Sequence, residues 1–594
     1  MTISHPTTVP DCLLERVARS PTTTAFWRHT SDGWTGETWE SIAAKVQNLS
    51  GHLIRLGLLP GDRVAIMMPT SIEWELCHLA ALTAGCVVVG IDAHDAPDNI
   101  RHILSVVTPR ALCLARQEQL QPLLGQMPAP PLFSIVHGTA SGDGCHALPA
   151  LLDQSATLTT PRQQVRPQDL ATIVFTSGSS GQPKGIAYRH EQICLAAEAI
   201  LGRFSSVGDG ARFACWLPLS NLFQRMINLC GMIRGGESYF VENPVEIIDR
   251  LPGIRPTLFI GVPRFFEKLH KGIEDNIAKR SVWLRRGIGW ARRTGSRYRQ
   301  QQRSGRRPGP LLQITHRVAD GLFLRRIRAV MGPDLQFMVS GSAPLPIWLM
   351  EDFHAIGWLV LEAYGTSENV VPIAINSPDA YRFGSVGRPL PQNEIQLAED
   401  RELLVRGRGV FGGYLGDISE TSPLDADGFL HTGDYADQDA DGFIWLTGRK
   451  SDMFKTSTGR RVAPVPIEAR LKQLQYIEQA VVLGRNRPVP VALLCLNLVP
   501  LAGAHRDRQP IAASTLKRIA DDIAAICAGL PEHDRPAGLL VTQELLTIAA
   551  GDLTGNLKLR RAPIETRFRA QLDGLYAELA VGRTNSSPLI REAS

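Results

Sequence analysis

Residues 38–56 carry apolar side chains three and four apart on a polar background, the spacing of one buried face of a helix. Residues 61–68 (Gly-Asp-Arg-Val-Ala-Ile-Met-Met) then condense into a short apolar run, which predicts a strand. A helical pattern over 71–84 and an apolar run over 86–91 follow. This alternation predicts parallel sheets covered by helices. Residues 171–175 form another apolar, β-branched run and predict a buried strand. The rhythm breaks near Gly448-Arg449, beyond the run 441–446. After the break a smaller α+β unit is expected, with a helix over 465–473 and strands over 477–484 and 491–499. The tail from Gly582 is expected to fray. No repeat of the 20–50-residue kind that marks solenoids is visible.

At 594 residues the chain exceeds what a single core supports, so at least two domains are expected. Its 44% hydrophobic and 20% charged residues are those of an ordinary soluble protein. No uncharged apolar run reaches the roughly 18 residues of a spanning helix. The longest candidate, 491–499, reads better as a buried strand. The N-terminus lacks the basic-then-apolar order of a signal peptide. Ten scattered cysteines with no C-x-x-C pair argue for reduced thiols and a cytoplasmic setting, and against a disulfide framework or a zinc site.

The net charge of +5 hides a strong asymmetry. Residues 280–328 hold fourteen arginines and one acid, Asp320, leaving 49 basic and 57 acidic residues elsewhere. Trp283, Leu284, Gly287, Ile288 and Ala291 fall near one face of a helix with arginines around it. Such a helix suits an anionic membrane at the inner face, or an acidic partner. It equally suits a solvated helical insertion with a flexible turn over 303–310. No recognition motif accompanies the charge, which argues against nucleic acid.

The candidate chemistry begins at Thr176-Ser177-Gly178-Ser179-Ser180-Gly181-Gln182-Pro183-Lys184-Gly185, directly after the 171–175 run. A strand entering a loop of small hydroxyl residues and glycines, closed by a lysine, is built to hold phosphate. Glycine admits close backbone approach, N–H groups converge on the anion, hydroxyls donate, and the lysine adds charge. It is not a Walker loop, because Gly185 follows the lysine.

That string resembles the phosphate loop of the acyl-adenylate-forming superfamily: acyl- and aryl-CoA synthetases, peptide-synthetase adenylation domains and luciferases. The resemblance continues in order along residues 10–575. Leu217-Pro218-Leu219-Ser220-Asn221-Leu222-Phe223-Gln224-Arg225 is similar to the long-chain acyl-CoA synthetase form of the next motif. Ser340-Gly341-Ser342-Ala343-Pro344-Leu345, Tyr364-Gly365-Thr366-Ser367-Glu368, His431-Thr432-Gly433-Asp434 and Gly448-Arg449-Lys450-Ser451-Asp452 follow. Leu553-Thr554-Gly555-Asn556-Leu557-Lys558 closes the series.

The resemblance implies a role for each match. The loop Thr176 to Gly181, with Lys184, would hold the β- and γ-phosphates of ATP. Tyr364 would face the adenine beside Gly341, Ser342 and Ala343, with Gly365 and Thr366 in the same nucleotide site. Ser367 would contact the α-phosphate and Glu368 would bind magnesium, a hard cation that prefers oxygen. Asp434 would accept from the ribose hydroxyls, Arg449 would add a second nucleotide contact, and Ser451 would be the hinge of a mobile C-terminal domain. Lys558 would bridge carboxylate and α-phosphate during adenylation. Asn221, Leu222 and Arg225 would border the acyl pocket. Four departures stand out: Asn221 in place of a histidine, the segment from Gly90 to Pro97, Gly555-Asn556 in place of Pro-Thr, and Ser451 where many relatives carry Asp or Lys.

The expectation is therefore an α/β protein in two parts: a large N-terminal adenylation domain over 1–448 with parallel β-sheets covered by helices, and a smaller mobile α+β domain over 449–594 carrying the lysine. The expected reaction is ATP- and magnesium-dependent activation of a medium- or long-chain acid to acyl-AMP, then transfer to the thiol of CoA. The alternatives are an acyl-AMP ligase loading a carrier-protein phosphopantetheine, a ligase for an aryl or specialised acid, and a non-catalytic nucleotide-binding protein.

Overall fold

The structure is a computed structural model that describes residues 7–125, 127–155, 164–176, 182–415, 423–474, 476–497, 511–547, 550–553, 559–581 and 587–593. The chain divides into two compact units. One comprises 1–396, 404–431 and 439–444, the other 397–403, 432–438 and 445–594.

The predicted helices over 38–56 and 71–84 are Trp39–Arg55 and Ile72–Thr83, each opened by a side-chain cap. Thr38 accepts from the Ser41 N–H and Ser71 from the Trp74 N–H. The apolar runs become strands Arg63–Met67 and Val87–Gly90. They pair in parallel within a seven-stranded sheet. Its order is Cys145–Ala147, Phe133–Val136, Ala111–Leu114, Arg63–Met67, Val87–Gly90, Leu170–Thr176, Lys184–Arg189. Only the last pair is antiparallel. Strands such as Val87–Gly90 and Ala111–Leu114 are buried at every residue, as a sheet with both faces covered requires.

A second sheet sets Leu258–Gly261, Phe337–Ser340 and Val360–Tyr364 in parallel, then adds Ala374–Ile375 and Arg388–Pro389 antiparallel. Its core is aromatic. Phe259, Phe265, Phe266, Phe353 and Trp358 pack there with Trp216, whose indole N–H donates to the Ile260 carbonyl at 2.9 Å. A third sheet orders Arg212–Cys215, Glu237–Phe240, Thr24–Thr30 and Gly33–Thr38.

In the second unit, Ile477–Leu483 pairs antiparallel with Val491–Leu496, which runs parallel to Gly538–Thr542. Val491, Leu493 and Cys495 face the helices Arg561–Arg567 and Arg569–Val581. Ala492, Leu494 and Leu496 face Pro464–Leu471 and Ala513–Cys527. This two-sided burial explains an uninterrupted apolar run in a strand. The tail departs from the sequence reading: Leu589–Glu592 is a strand paired in parallel with Gly538–Thr542. Its edge position supplies backbone partners that no local pattern reveals.

The arginine-rich insertion also differs from its sequence reading. Val282–Arg303 and Pro310–Ala319 are helices joined by a short turn with Gly305 in the left-handed region. Ile288 and Ala291, expected on an outward apolar face, are buried against the protein. A Cβ on Gly287 would come 2.7 Å from Phe323, and one on Gly295 would strike the Ala355 carbonyl at 2.1 Å. Ile288 and Ala291 are therefore spent on packing, whereas Trp283 of the same expected face stays exposed.

Candidate active site

In the first unit the motif loops follow the carboxyl ends of parallel strands, where ligands bind in open α/β sheets. Thr176 ends Leu170–Thr176 and pairs directly with Lys184, the first residue of the returning strand. This hairpin stem holds both ends of the candidate phosphate loop, whose Ser177, Gly178, Ser179, Ser180 and Gly181 lie outside the described residues. The turn Gly341-Ser342-Ala343 follows Phe337–Ser340, and Gly365 to Glu368 follow Val360–Tyr364.

Lys184 and Glu368 meet through Tyr414. The Tyr414 hydroxyl donates to Glu368 Oε1 at 2.8 Å, and Lys184 Nζ sits 4.9 Å from the centre of the same ring. Backbone contacts fix this tyrosine: Tyr414 bridges Ile186, the Leu415 N–H donates to the Gly185 carbonyl at 2.8 Å, and the Phe411 N–H donates to the Glu368 carbonyl at 2.9 Å. The buried Tyr188 hydroxyl donates to the Ser367 carbonyl. Burial, then the Glu368 charge and Tyr414, push the Tyr188 pKa well up, so it stays a neutral donor.

Glu362 organises the neighbouring turn. One of its carboxylate oxygens accepts from the Leu345 N–H at 3.0 Å. Burial raises its pKa to about 7, against the opposing Leu345 and Gly384 N–H groups. Ser342 holds a left-handed φ of 71°, and a Cβ on Gly341 would approach the Phe223 ring at 3.2 Å. The 217–225 and 340–345 motifs are thus in contact through Phe223. Among the described residues the Thr366 hydroxyl is buried without a protein partner, as suits a group kept for a polar ligand.

Two of the departures noted in the sequence lie together. A Cβ on Gly90 would come 2.7 Å from the Ser220 Cα, so the residue before Asn221 packs on the end of Val87–Gly90. Asn221 precedes the helix Leu222–Arg234 and makes no side-chain cap. Arg225 turns inward. It donates to the Thr172 hydroxyl at 2.8 Å, lies 5.6 Å from the Trp74 ring centre, and has its pKa pushed down to about 10 by burial, with Glu75 opposing. Asn228 donates to Glu75 at 3.1 Å in the same network. Arg225 therefore pins the helix to the strand that leads into the candidate phosphate loop.

In the second unit Arg449 Nε lies 3.7 Å from Asp434 Oδ1. The Asp434 N–H donates to the Thr432 hydroxyl, Gly433 adopts φ 72°, and the Lys450 N–H donates to the Gly433 carbonyl at 2.7 Å. Glu402 accepts from the Gly433 N–H at 2.9 Å and from Lys450 Nζ at 3.0 Å. Ser451 sits exposed in the turn after Ile444–Arg449. Lys558 lies outside the described residues. The stem of its loop is described: Leu553 bridges Leu559, and the buried Asp552 accepts from Arg567 at 2.6 Å.

Tyr414, Tyr188, Glu362 and Phe223 were not singled out from sequence. The flanking glycines of Gly412-Gly413-Tyr414-Leu415 were the only local signal for Tyr414.

This arrangement defines an α/β protein with its candidate chemistry at the carboxyl ends of parallel strands. Residues 13–415 match the AMP-binding enzyme family and residues 451–580 match the AMP-binding enzyme C-terminal domain. The chain belongs to the AMP-binding enzyme family. It is 28% identical to the long-chain-fatty-acid–CoA ligase FadD15 of Mycobacterium bovis over 97% of this chain and 98% of that one. It is 25% identical to the human long-chain-fatty-acid–CoA ligase ACSBG2 over 96% and 92%. The fold matches the anthranilate CoA ligase AuaEII in complex with anthranoyl-AMP, with TM-score 0.72, 21% identity and coverage of 96% and 98%. It also matches the adenylation domain of a carboxylate reductase from Mycobacterium chelonae, with TM-score 0.74, 19% identity and coverage of 96% and 91%. The expected α/β class, with parallel sheets in a large N-terminal part and a smaller C-terminal part, holds.

Proposed function

We propose that this protein is an AMP-forming acid–thiol ligase that activates a medium- or long-chain carboxylic acid and transfers the acyl group to CoA. The observation that carries the reading is the Lys184–Tyr414–Glu368 chain beside the phosphate-loop stem, in a chain matched end to end by relatives named as long-chain fatty-acid–CoA ligases.

The task is electrostatic. A carboxylate repels nucleophiles and lacks a leaving group. Its oxygen attacks the α-phosphorus of ATP, the bond to the β-phosphate oxygen breaks, and pyrophosphate leaves. The CoA thiolate then attacks the acyl carbon and AMP leaves. Residues 176–184 hold the β- and γ-phosphates and Ser367 the α-phosphate. Tyr364, Gly365 and the 341–343 turn receive the adenine, with Thr366 in the same nucleotide site. Asp434 and Arg449 take the ribose side. Lys558 follows charge onto the bridging oxygen. Glu368 is the oxygen ligand that would hold magnesium, which neutralises phosphate charge when bound. Asn221 and Leu222, at the start of their helix, border the acyl site, with Arg225 fixing that helix from behind. The mobile part is assigned to 449–594, with Ser451 the hinge, within a compact second unit that also takes in 397–403, 432–438 and 445–448. Ten free thiols, including Cys12 and Cys194 with sulfurs 4.0 Å apart, support a reducing, cytoplasmic setting. Contact with an anionic membrane is assigned to residues 280–328.

Pyrophosphate release over a panel of acids, with magnesium and with or without CoA, tests the reading. Release with long-chain acids and acyl-CoA as product is expected. Acyl transfer only to a carrier-protein phosphopantetheine would replace the acceptor. A preference for aryl acids would replace the substrate. No release with any acid would overturn the reading.

A further inference from the structure

Four large aliphatic side chains stand exposed along one helical segment: Leu311 (75%), Ile314 (58%), Val318 (48%) and Leu322 (53%). Their spacings of three, four and four residues place them in one stripe. The sequence reading located the apolar face on the preceding helix, where Ile288 and Ala291 are buried and Trp283 is exposed. The exposed stripe lies on the second helix of the hairpin, Pro310–Ala319, and on the helical turn Asp320–Leu324 that continues it.

The hairpin is braced. Tyr298 stacks on His316 at 4.0 Å between ring centres and Trp290 meets Phe323 edge-on at 6.5 Å. Arg292 is bound at 2.6 Å to Glu274, and Arg292 and His270 both reach Asp352. The His270–Glu274–Asp352 cluster thus already holds a guanidinium and is a tether for the insertion.

The charge around the stripe is one-sided. Arg317, Arg325 and Arg326 are exposed on the same segment, with Arg285, Arg286, Arg293 and Arg297 on the first helix. None of these seven has a carboxylate within ion-pair distance among the described residues. The single acid, Asp320, is taken by Arg328 at 2.6 Å. Trp283 is 80% exposed, with the Arg286 guanidinium 5.7 Å from its ring centre. A second copy of the chain would bring two such cationic segments together, and nucleic acid has no use for an aliphatic stripe.

We propose that Leu311, Ile314, Val318 and Leu322 form the surface that enters the headgroup region of an anionic lipid bilayer, with the exposed arginines on its phosphates. An exposed apolar stripe with exposed guanidinium groups on its own segment and on the neighbouring helix, which also carries an exposed tryptophan, matches the chemistry of that interface. The proposal rests on the membrane-contact reading above and is independent of the catalytic one.

Flotation of the full chain with phosphatidylcholine vesicles, with and without phosphatidylglycerol, tests it. Partition onto the phosphatidylglycerol vesicles should exceed that onto neutral ones at least tenfold and fall as salt rises. The variant L311S/I314S/V318S/L322S should lose at least tenfold in partition while retaining pyrophosphate release. Leu311→Asp, at the most exposed position, should also lose binding and guards against misfolding of the quadruple variant. Wild-type binding by both stripe variants overturns the surface assignment and leaves membrane contact standing. No binding to anionic vesicles, or binding only to a single-stranded oligonucleotide probe in an anisotropy assay, overturns both.

Discussion

Tyr414 donates its hydroxyl to Glu368 Oε1 at 2.8 Å and holds Lys184 Nζ 4.9 Å from the centre of its ring. One side chain thus contacts both the proposed metal-binding carboxylate and the cation that closes the proposed phosphate loop. Removing the hydroxyl but keeping the ring separates the two roles. A hydrogen bond to a charged group contributes about 1.5–3 kcal/mol. Tyr414→Phe should therefore cost roughly ten- to a hundredfold in kcat/KM for adenylation, through a raised magnesium requirement. A magnesium titration of pyrophosphate exchange reads this directly, and an unshifted titration would remove Tyr414 from the site.

Glu368→Gln should be more severe, because a neutral amide is a poor ligand for a hard cation. The folded variant is expected to lose most magnesium-dependent acyl-AMP formation. Full activity at limiting magnesium would sink the assignment.

Lys558→Ala should abolish acyl-AMP formation yet still transfer acyl from supplied acyl-AMP to CoA. Ser451→Pro, which fixes φ near −65°, should do the reverse by restricting the proposed hinge. Rapid-quench measurement of the two half-reactions separates them. Equal damage to both by Lys558→Ala would refute the division of labour.

Glu362 titrates at about 7 in the folded protein against an ordinary 4.5, because burial favours its neutral form. The folded state then binds the extra proton between these values. Stability from this group is fully present below pH 4.5 and is lost as pH rises through 7. The shift corresponds to about 3 kcal/mol. Glu362→Gln keeps an acceptor for the Leu345 N–H and should flatten that decline. Urea denaturation of both proteins at pH 5 and pH 8 should show the difference, and parallel curves would count against it.

Gly90→Ala should destabilise by about 1–3 kcal/mol, since its Cβ would meet the Ser220 backbone at 2.7 Å. Chemical denaturation measures this; an unchanged midpoint would mean that the 217–225 loop gives way freely.

Local pattern alone determined a large part of this protein. Continuous apolar runs such as 87–90 and 491–496 announced strands covered on both faces, because a sheet packed between helix layers has no polar side to display. The ordered motifs announced nucleotide chemistry, because phosphate binding demands glycine, hydroxyl and lysine close together in the chain. Tertiary structure alone decided what those segments meet. Tyr414 reaches Glu368 across 46 residues, Glu362 reaches the Leu345 N–H across 17, and Leu589–Glu592 finds its partner strand Gly538–Thr542. In the arginine-rich insertion, periodicity revealed that Ile288 and Ala291 share an apolar face, but only the packing of Gly287 on Phe323 and Gly295 on Ala355 turned that face inward and left Leu311 to Leu322 outside. The physical reason is that a sequence records which side of an element avoids water, whereas chain closure selects the surface that covers it.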